Sequence, residues 1–230
     1  MPVLPGSPPV EVHLKRSARA RRFSLRVSRL DGKVTLSMPL RAREGEALAF
    51  LKGNEGWLRQ TLSTMPASAL RTVSFGMVIP VEGADLTLTP ATGRGLRVEG
   101  DRLLVPGSPT TVGPRVSAWL KLLARDRLAT ASGRYAEQVG RSYSSLAIRD
   151  TRSRWGSCSP DGRLMYSWRL IMAPPSVLDY VAAHEVAHLV ELNHSPDYWA
   201  VVTRICPDWK QHRNWLRTYG SSLHQVRFQD

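Results

Sequence analysis

Apolar and polar residues alternate in three short runs near the start of the chain. Val10, Val12 and Leu14 form the first, Phe23, Leu25 and Val27 the second, and Val34, Leu36 and Met38 the third. A period of two gives each run one apolar and one polar face, as in a half-buried strand. Arg22 and Arg26 lie on the polar face of the second run, and Asp31-Gly32 reads as a turn between the second and third runs. Together the runs predict an antiparallel meander. The period then lengthens: residues 43–63 place Phe50, Leu51, Trp57, Leu58 and Leu62 on the inner side of one helix, weakened by Gly53 and Gly56. Short strands return at 73–81, 85–89 and 102–105, between glycine-rich turns.

Two Pro/Gly clusters, Pro106-Gly107 and Gly113-Pro114, punctuate the chain next. They predict a boundary between a β-rich domain with one helix over 1–107 and a second domain over 108–230. The second domain opens with a long amphipathic helix carrying Val116, Trp119, Leu120, Leu123, Leu128, Tyr135 and Val139. Segments 144–150 and 163–170 read as strands joined by the loop "TRSRWGSCSPDG". Pro174-Pro175 ends that small sheet, expected to be antiparallel, and opens a helix that runs into "HEVAHLVELNH", residues 184–194. Helices at about 196–205 and 208–218 complete an α+β fold. No internal repeat or low-complexity tract is evident.

Composition narrows the class. A hydrophobic content of 42% suits a chain with a packed core rather than a disordered one. Cys158 and Cys206 are the only cysteines and form no CxxC, which excludes a disulfide framework and a cysteine zinc finger and suits a reducing compartment. The start, "MPVLPGSPPV", lacks the apolar stretch of a signal peptide, and no 18-residue apolar run follows. The Arg-rich segment 15–29 has the composition of a transit peptide but the alternation of a strand. The expectation is a cytoplasmic protein with no membrane association. The net charge of +13 is shared by both halves. Such a field attracts polyanions, nucleic acid among them, unless it is simply a solvated Arg-rich surface.

The chemistry is concentrated in "HEVAHLVELNH". Helical residues four apart lie on one face, so His184 and His188 point two imidazoles at one place, and Glu185 sits about 100° round the helix, beside them. This is the HExxH arrangement, in which a metal acidifies a water and Glu is the general base. The helix is otherwise apolar at Val177, Leu178, Val181, Val186 and Leu189, so its polar side chains need partners. A third ligand must come from downstream, where no glutamate follows Glu191. His194, Asp197, Asp208, His212, His224 and Asp230 remain, and His194 is the best placed. Its distance from His188 equals that in metzincins, but Glu191 occupies the position of the glycine that turns the chain there. Asn193, which tolerates a left-handed conformation, is the expected break, with Ser195-Pro196 opening the next helix. Three ligands with one open position make a catalytic zinc site. A fourth ligand from Cys158, Cys206 or His212 would make a structural one.

The loop "RSRWGSC" is the second unusual feature. Arg152 and Arg154 suit binding of a carboxylate or phosphate, and Trp155 suits either a substrate groove or the core, with Gly156-Ser157 as a tight turn. Cys158 reads as a packed thiol, and Trp199, Trp209 and Trp215 as core residues.

Four segments, "ARRFSLRVSRLDGKVTLSMP" (20–39), "TRSRWGSCS" (151–159), "DYVAAHEVAHLVELNHSPDYW" (179–199) and "CPDWKQHRNWL" (206–216), occur in an order that resembles the YgjP-type metal-dependent hydrolases. That family is related to SprT-like and other zincin metallopeptidases. The resemblance implies zinc on His184, His188 and His194, with Glu185 as general base. It also implies a zincin-like domain in which segment 163–170 offers a strand edge to an extended peptide. The resulting expectation is a zinc-dependent hydrolase, foremost a metallopeptidase acting on a peptide or protein, although imidazoles also accept other divalent transition metals. A metal-dependent hydrolase of nucleotides or other phosphoanhydrides is the alternative. A nucleic-acid-binding module with structural zinc is a third reading.

Overall fold

The computed structural model describes residues 2–28, 32–64 and 70–228. Its fold is α+β, and the chain forms two compact units, residues 1–70 and 71–230. The boundary anticipated near residue 107 therefore lies inside the second unit. Physically, Leu88, Leu103 and Val105 belong to the same buried cluster as Val116 and Leu120 of the following helix. The Pro/Gly clusters mark a turn between a strand and the helix packed with it, not a gap between cores.

The first unit holds strands β1 (Val3–Leu4), β2 (Val10–Ser17), β3 (Ser24–Val27) and β4 (Val34–Pro39). All three alternating runs are strands, but they do not form a meander. The sheet order is β1-β2-β4-β3, with β2 and β4 parallel (Val12 opposite Val34, Leu14 opposite Leu36) and β3 antiparallel to β4. Alternation fixes which face of a strand is buried, not which strand is its neighbour. The most regularly buried run, Val34, Leu36 and Met38, takes the interior position and leaves β3 at the edge. Asp31 of the anticipated turn lies outside the described residues, while Gly32 adopts a φ of +68°, which a glycine takes without strain.

The single helix expected over 43–63 is two, α1 (Glu44–Gly53) and α2 (Glu55–Ser63). Asn54 separates them, its side-chain amide donating to the Phe50 carbonyl at 2.8 Å. That interruption changes the helical phase. Leu51 and Leu58 stay buried and Phe50 stacks on Phe23, whereas Trp57 turns outward and is 49% exposed.

The second unit begins with β5 (Arg71–Thr72), followed by β6 (Val78–Val81), β7 (Ala84–Ala91), β8 (Arg97–Glu99), β9 (Arg102–Pro106) and the long helix α3 (Val112–Gln138). The sheet order β6-β7-β9-β8, with β7 and β9 parallel, repeats the topology of the first unit strand for strand. A third version follows without the outermost strand. Here β10 (Ser145–Arg149) pairs in parallel with β12 (Arg163–Ser167), which pairs antiparallel with β11 (Gly156–Cys158). This small sheet is thus mixed rather than antiparallel. Each version is followed by helix, so the chain contains a repeat in topology that its residues do not announce.

After a short 3-10 segment, Trp168–Met172, come α4 (Pro175–Ala187), α5 (Pro196–Ile205) and α6 (Trp209–Tyr219). A second 3-10 turn, Gly220–His224, leads to β13 (Val226–Arg227), which pairs with β5. Arg169 anchors this closing segment. It is 8% exposed, donates to both carboxylate oxygens of Asp150 at 2.7 and 3.1 Å, and donates to the carbonyls of Leu223 and Val226. A buried guanidinium satisfied on all these sides is held in one geometry, and removal of its partner is costly. Among the described residues no helix is long and apolar enough to cross a membrane.

Candidate metal centre

Helix α4 is apolar on nearly every side, with Val177, Leu178, Tyr180, Val181, Ala182, Ala183, Val186 and Ala187 buried. Such a helix belongs inside a core, and this one brings His184, Glu185 and His188 there with it. The helix ends sooner than its apolar pattern suggests. His188 is its C-cap, and the amides of Leu189, Val190 and Glu191 close short turns onto Val186 and Ala187. No left-handed residue is used, because Glu82 is the only non-glycine with positive φ among the described residues. Asn193 is therefore not the break. Early tightening of the final turn replaces the missing glycine. Ser195 then caps α5, its hydroxyl accepting from the Tyr198 amide at 3.2 Å, with Pro196 as the first helical residue.

This return brings His194 back to the first two histidines. His184, His188 and His194 each offer a ring nitrogen, and these nitrogens lie within 4.8 Å of one another. The Nε2 atoms of His184 and His194 are 3.2 Å apart. Two nitrogens about 2.0–2.1 Å from a tetrahedral ion would be separated by about 3.3 Å, so the pair already has the required span. His188 Nδ1 lies 3.0 Å from the Glu191 carbonyl. A carbonyl only accepts, so Nδ1 carries the proton and Nε2 keeps its lone pair, the usual orientation of a metal-binding imidazole. Burial, with repulsion from His188, His194 and Arg213, pushes His184 down to about 3. Burial also lowers His188. Both are neutral, as ligands must be. The donor set fits a divalent transition metal. Cys158, Cys206, Asp197, Asp208, His212 and His224 do not join it among the described residues, and Asp230 lies outside them.

Glu185 is 5% exposed, and burial pushes its carboxyl up to about 8, opposed by Arg154. Its close neighbour is Gly156, which opens β11 rather than a tight turn. A side chain at Gly156 would strike the carboxylate, the added Cβ lying 2.5 Å from Oε1. The "RWGSC" stretch therefore packs its backbone directly on the acid. Cys158, two residues on, is pushed up to about 11 by burial and by Glu185 and Asp161, so its thiol stays protonated.

A cavity of about 320 Å³ opens beside His184 and Glu185, with Arg154, Trp155, Tyr180 and Arg213 in its wall. Arg152 is not part of that wall. Trp155 lines the cavity while stacking on His224 at 5.1 Å, partly buried against the core. A second cavity, of about 440 Å³, reaches His188 from the side of Ser159, Asp161 and Leu192.

Several residues at the centre escaped the reading of the sequence. Tyr198 is fully buried, stacks on His188 at 4.5 Å and donates to the His184 carbonyl at 2.9 Å. Its position four residues after His194, just inside the Ser-Pro cap, was a usable signal. Tyr180 precedes His184 by one helical turn and meets its ring edge-on. Trp199 lies against His184 and His194, at 5.9 and 5.8 Å, instead of deep in the core. Arg213 packs over Trp199 at 5.2 Å, and no local pattern pointed to it.

The family model of the YgjP-like metallopeptidase domain matches residues 21–219. The chain belongs to the YgjP-like family. No curated protein matches it. Among solved structures it is similar to the metallopeptidase zymogen of Pyrococcus abyssi, abylysin, at 18% identity and a TM-score of 0.37, over 40% of this chain and 92% of that one. The YgjP-like match begins after β2 and extends through parts of both compact units.

Proposed function

We propose that this YgjP-like protein is a zinc-dependent peptidase of the cytoplasm, with His184, His188 and His194 as metal ligands and Glu185 as general base. The observation that carries the reading is the convergence of three imidazoles within 4.8 Å, beside a buried carboxylate on the helix that carries the first two. A zinc ion at these residues would supply Lewis acidity, acidifying a water and polarising a carbonyl. Cobalt, nickel or manganese would meet the same donors.

The chain's own residues supply the rest. Glu185, displaced upward by burial, has a proton affinity in the range useful to a general base near neutral pH, and a divalent charge beside it would bring that value back down. Its carboxylate takes a proton from the attacking water and delivers it to the leaving amine. Gly156 fixes where the carboxylate sits, and Tyr198 holds the imidazoles by stacking and through the His184 carbonyl. The strand edge suited to an extended peptide is β11, because β12, the segment first expected to offer it, lies between β10 and β11. Openings that reach His184 and Glu185 on one side and His188 on the other suit a chain passing the site.

Glu185→Gln tests the reading. The variant should bind zinc as the wild type does and lose at least about 1,000-fold in hydrolysis of an unstructured protein. Unchanged turnover would remove Glu185 from the mechanism. The phosphoanhydride alternative draws its support from Arg154 and Arg213 in the cavity wall. Release of phosphate or pyrophosphate from nucleotides, with no peptide cleavage, would favour it.

A further inference from the structure

We propose that the cavity beside Glu185 is a carboxylate-recognition pocket, in which Arg154 and Arg213 select peptides bearing a carboxylate close to the bond that is cut. This rests on the peptidase reading for the reaction but not for the binding. The wall combines the guanidinium groups of Arg154, Arg213 and Arg217 with the apolar surfaces of Trp155, Tyr180 and Leu216. Among the described residues neither Arg154 nor Arg213 forms an ion pair with a carboxylate, whereas Arg59, Arg97, Arg127, Arg134, Arg163 and Arg169 each do. Arg213 is held in position by aromatic contact, over Trp199 at 5.2 Å and Trp209 at 5.9 Å, and those two indoles stack on each other at 4.3 Å. Such packing restrains the side chain while leaving its forked donors available for a planar carboxylate.

The same wall is poorly suited to a polyphosphate. Polyphosphates are cradled by glycine-rich loops and helix N-termini. Helix α4 contributes Tyr180 to Glu185 here and α6 contributes Arg213 to Arg217, in each case the middle and later turns. Those turns lie toward the negative end of the helix dipole.

The carboxylate has two possible sources, an Asp or Glu side chain or the free C-terminus of a short peptide. Both are resolved by calorimetric binding to the full-length, zinc-loaded Glu185→Gln protein, which holds substrate without cutting it. Three peptides serve: acetyl-Ala-Ala-Glu-Ala-Ala-amide, its Gln counterpart, and the Gln peptide with a free C-terminus. The expected result is at least tenfold tighter binding of one carboxylate-bearing peptide over the neutral one, and which of the two it is names the source. Adding Arg154→Gln and Arg213→Gln together should abolish that preference, with zinc content and circular dichroism unchanged. Equal affinity for all three peptides, no measurable binding of any, or a preference that survives the arginine changes would overturn the proposal. Displacement of the Glu peptide by inorganic pyrophosphate at a lower concentration than by that peptide itself would overturn it too, and assign the pocket to phosphates. If binding discriminates but the wild type cleaves none of the three, the peptidase reading falls and the pocket stands.

Discussion

Replacing Gly156 with alanine tests the placement of the general base without touching a ligand or the base itself. The added methyl would lie 2.5 Å from Glu185 Oε1, 2.6 Å from Cγ and 2.8 Å from Cδ, against an ordinary contact of 3.4 Å or more. Relief requires the carboxylate or β11 to move by about 1 Å, the scale at which a misplaced catalytic group costs about 100-fold in rate. Glu185 is 5% exposed and lines the cavity, so a carboxylate that gives way moves toward that cavity and out of its place beside the histidines. A 100-fold loss corresponds to about 2.7 kcal/mol of transition-state stabilisation. The crowding itself should also cost about 1–3 kcal/mol of stability, the usual penalty for one extra carbon in a packed interior. The assay pairs initial rates on a fluorescently labelled unstructured protein with zinc stoichiometry by elemental analysis. Zinc should remain at the wild-type level, since no ligand has moved. Introduced into Glu185→Gln, the alanine should have little further effect on rate, because both changes act through one group. Activity within threefold of wild type, at full zinc occupancy, would refute the reasoning.

His194→Ala should weaken zinc binding by more than the roughly 100-fold that loss of an outer partner alone can cause; normal metal occupancy after dialysis against a weak chelator would remove His194 from the ligand set. His224, pushed down from 6.5 to about 4 by burial and by Arg169 and Arg152, makes a pH-dependent contribution. Above pH 6.5 it is neutral in both folded and unfolded chains, and as pH falls toward 4 only the unfolded chain takes up the proton. Stability is therefore lost across that window, by about 2.5 kcal/mol between roughly pH 7 and pH 4.5 at about 1.4 kcal/mol per unit. His224→Phe, which keeps a ring against Trp155, should lose that much less in urea unfolding followed by tryptophan fluorescence, and parallel losses in the two proteins would show that His224 does not titrate as described.

By itself, the sequence determined most of the local structure and the chemical identity of the centre. Alternation at Val34, Leu36 and Met38 and the apolar surround of His184 and His188 depend on neighbours within a few residues, and side-chain spacing reports such neighbours directly. The same holds for the Ser195-Pro196 cap and, through it, for the return of His194. Only the tertiary structure decided which strands pair, where the units divide and which residues complete the site. The parallel pairing of β2 with β4 depends on competition among strands, and each strand's pattern is silent on its rivals. The threefold recurrence of that topology is hidden for the same reason, since pairing order is a property of the sheet. At the centre, Gly156 meets Glu185 and Arg213 meets the cavity only because β11 and α6 pack on α4. A missing side chain and a distant guanidinium leave no periodic trace. They acquire meaning from what they touch, and the core that buries α4 sets those contacts.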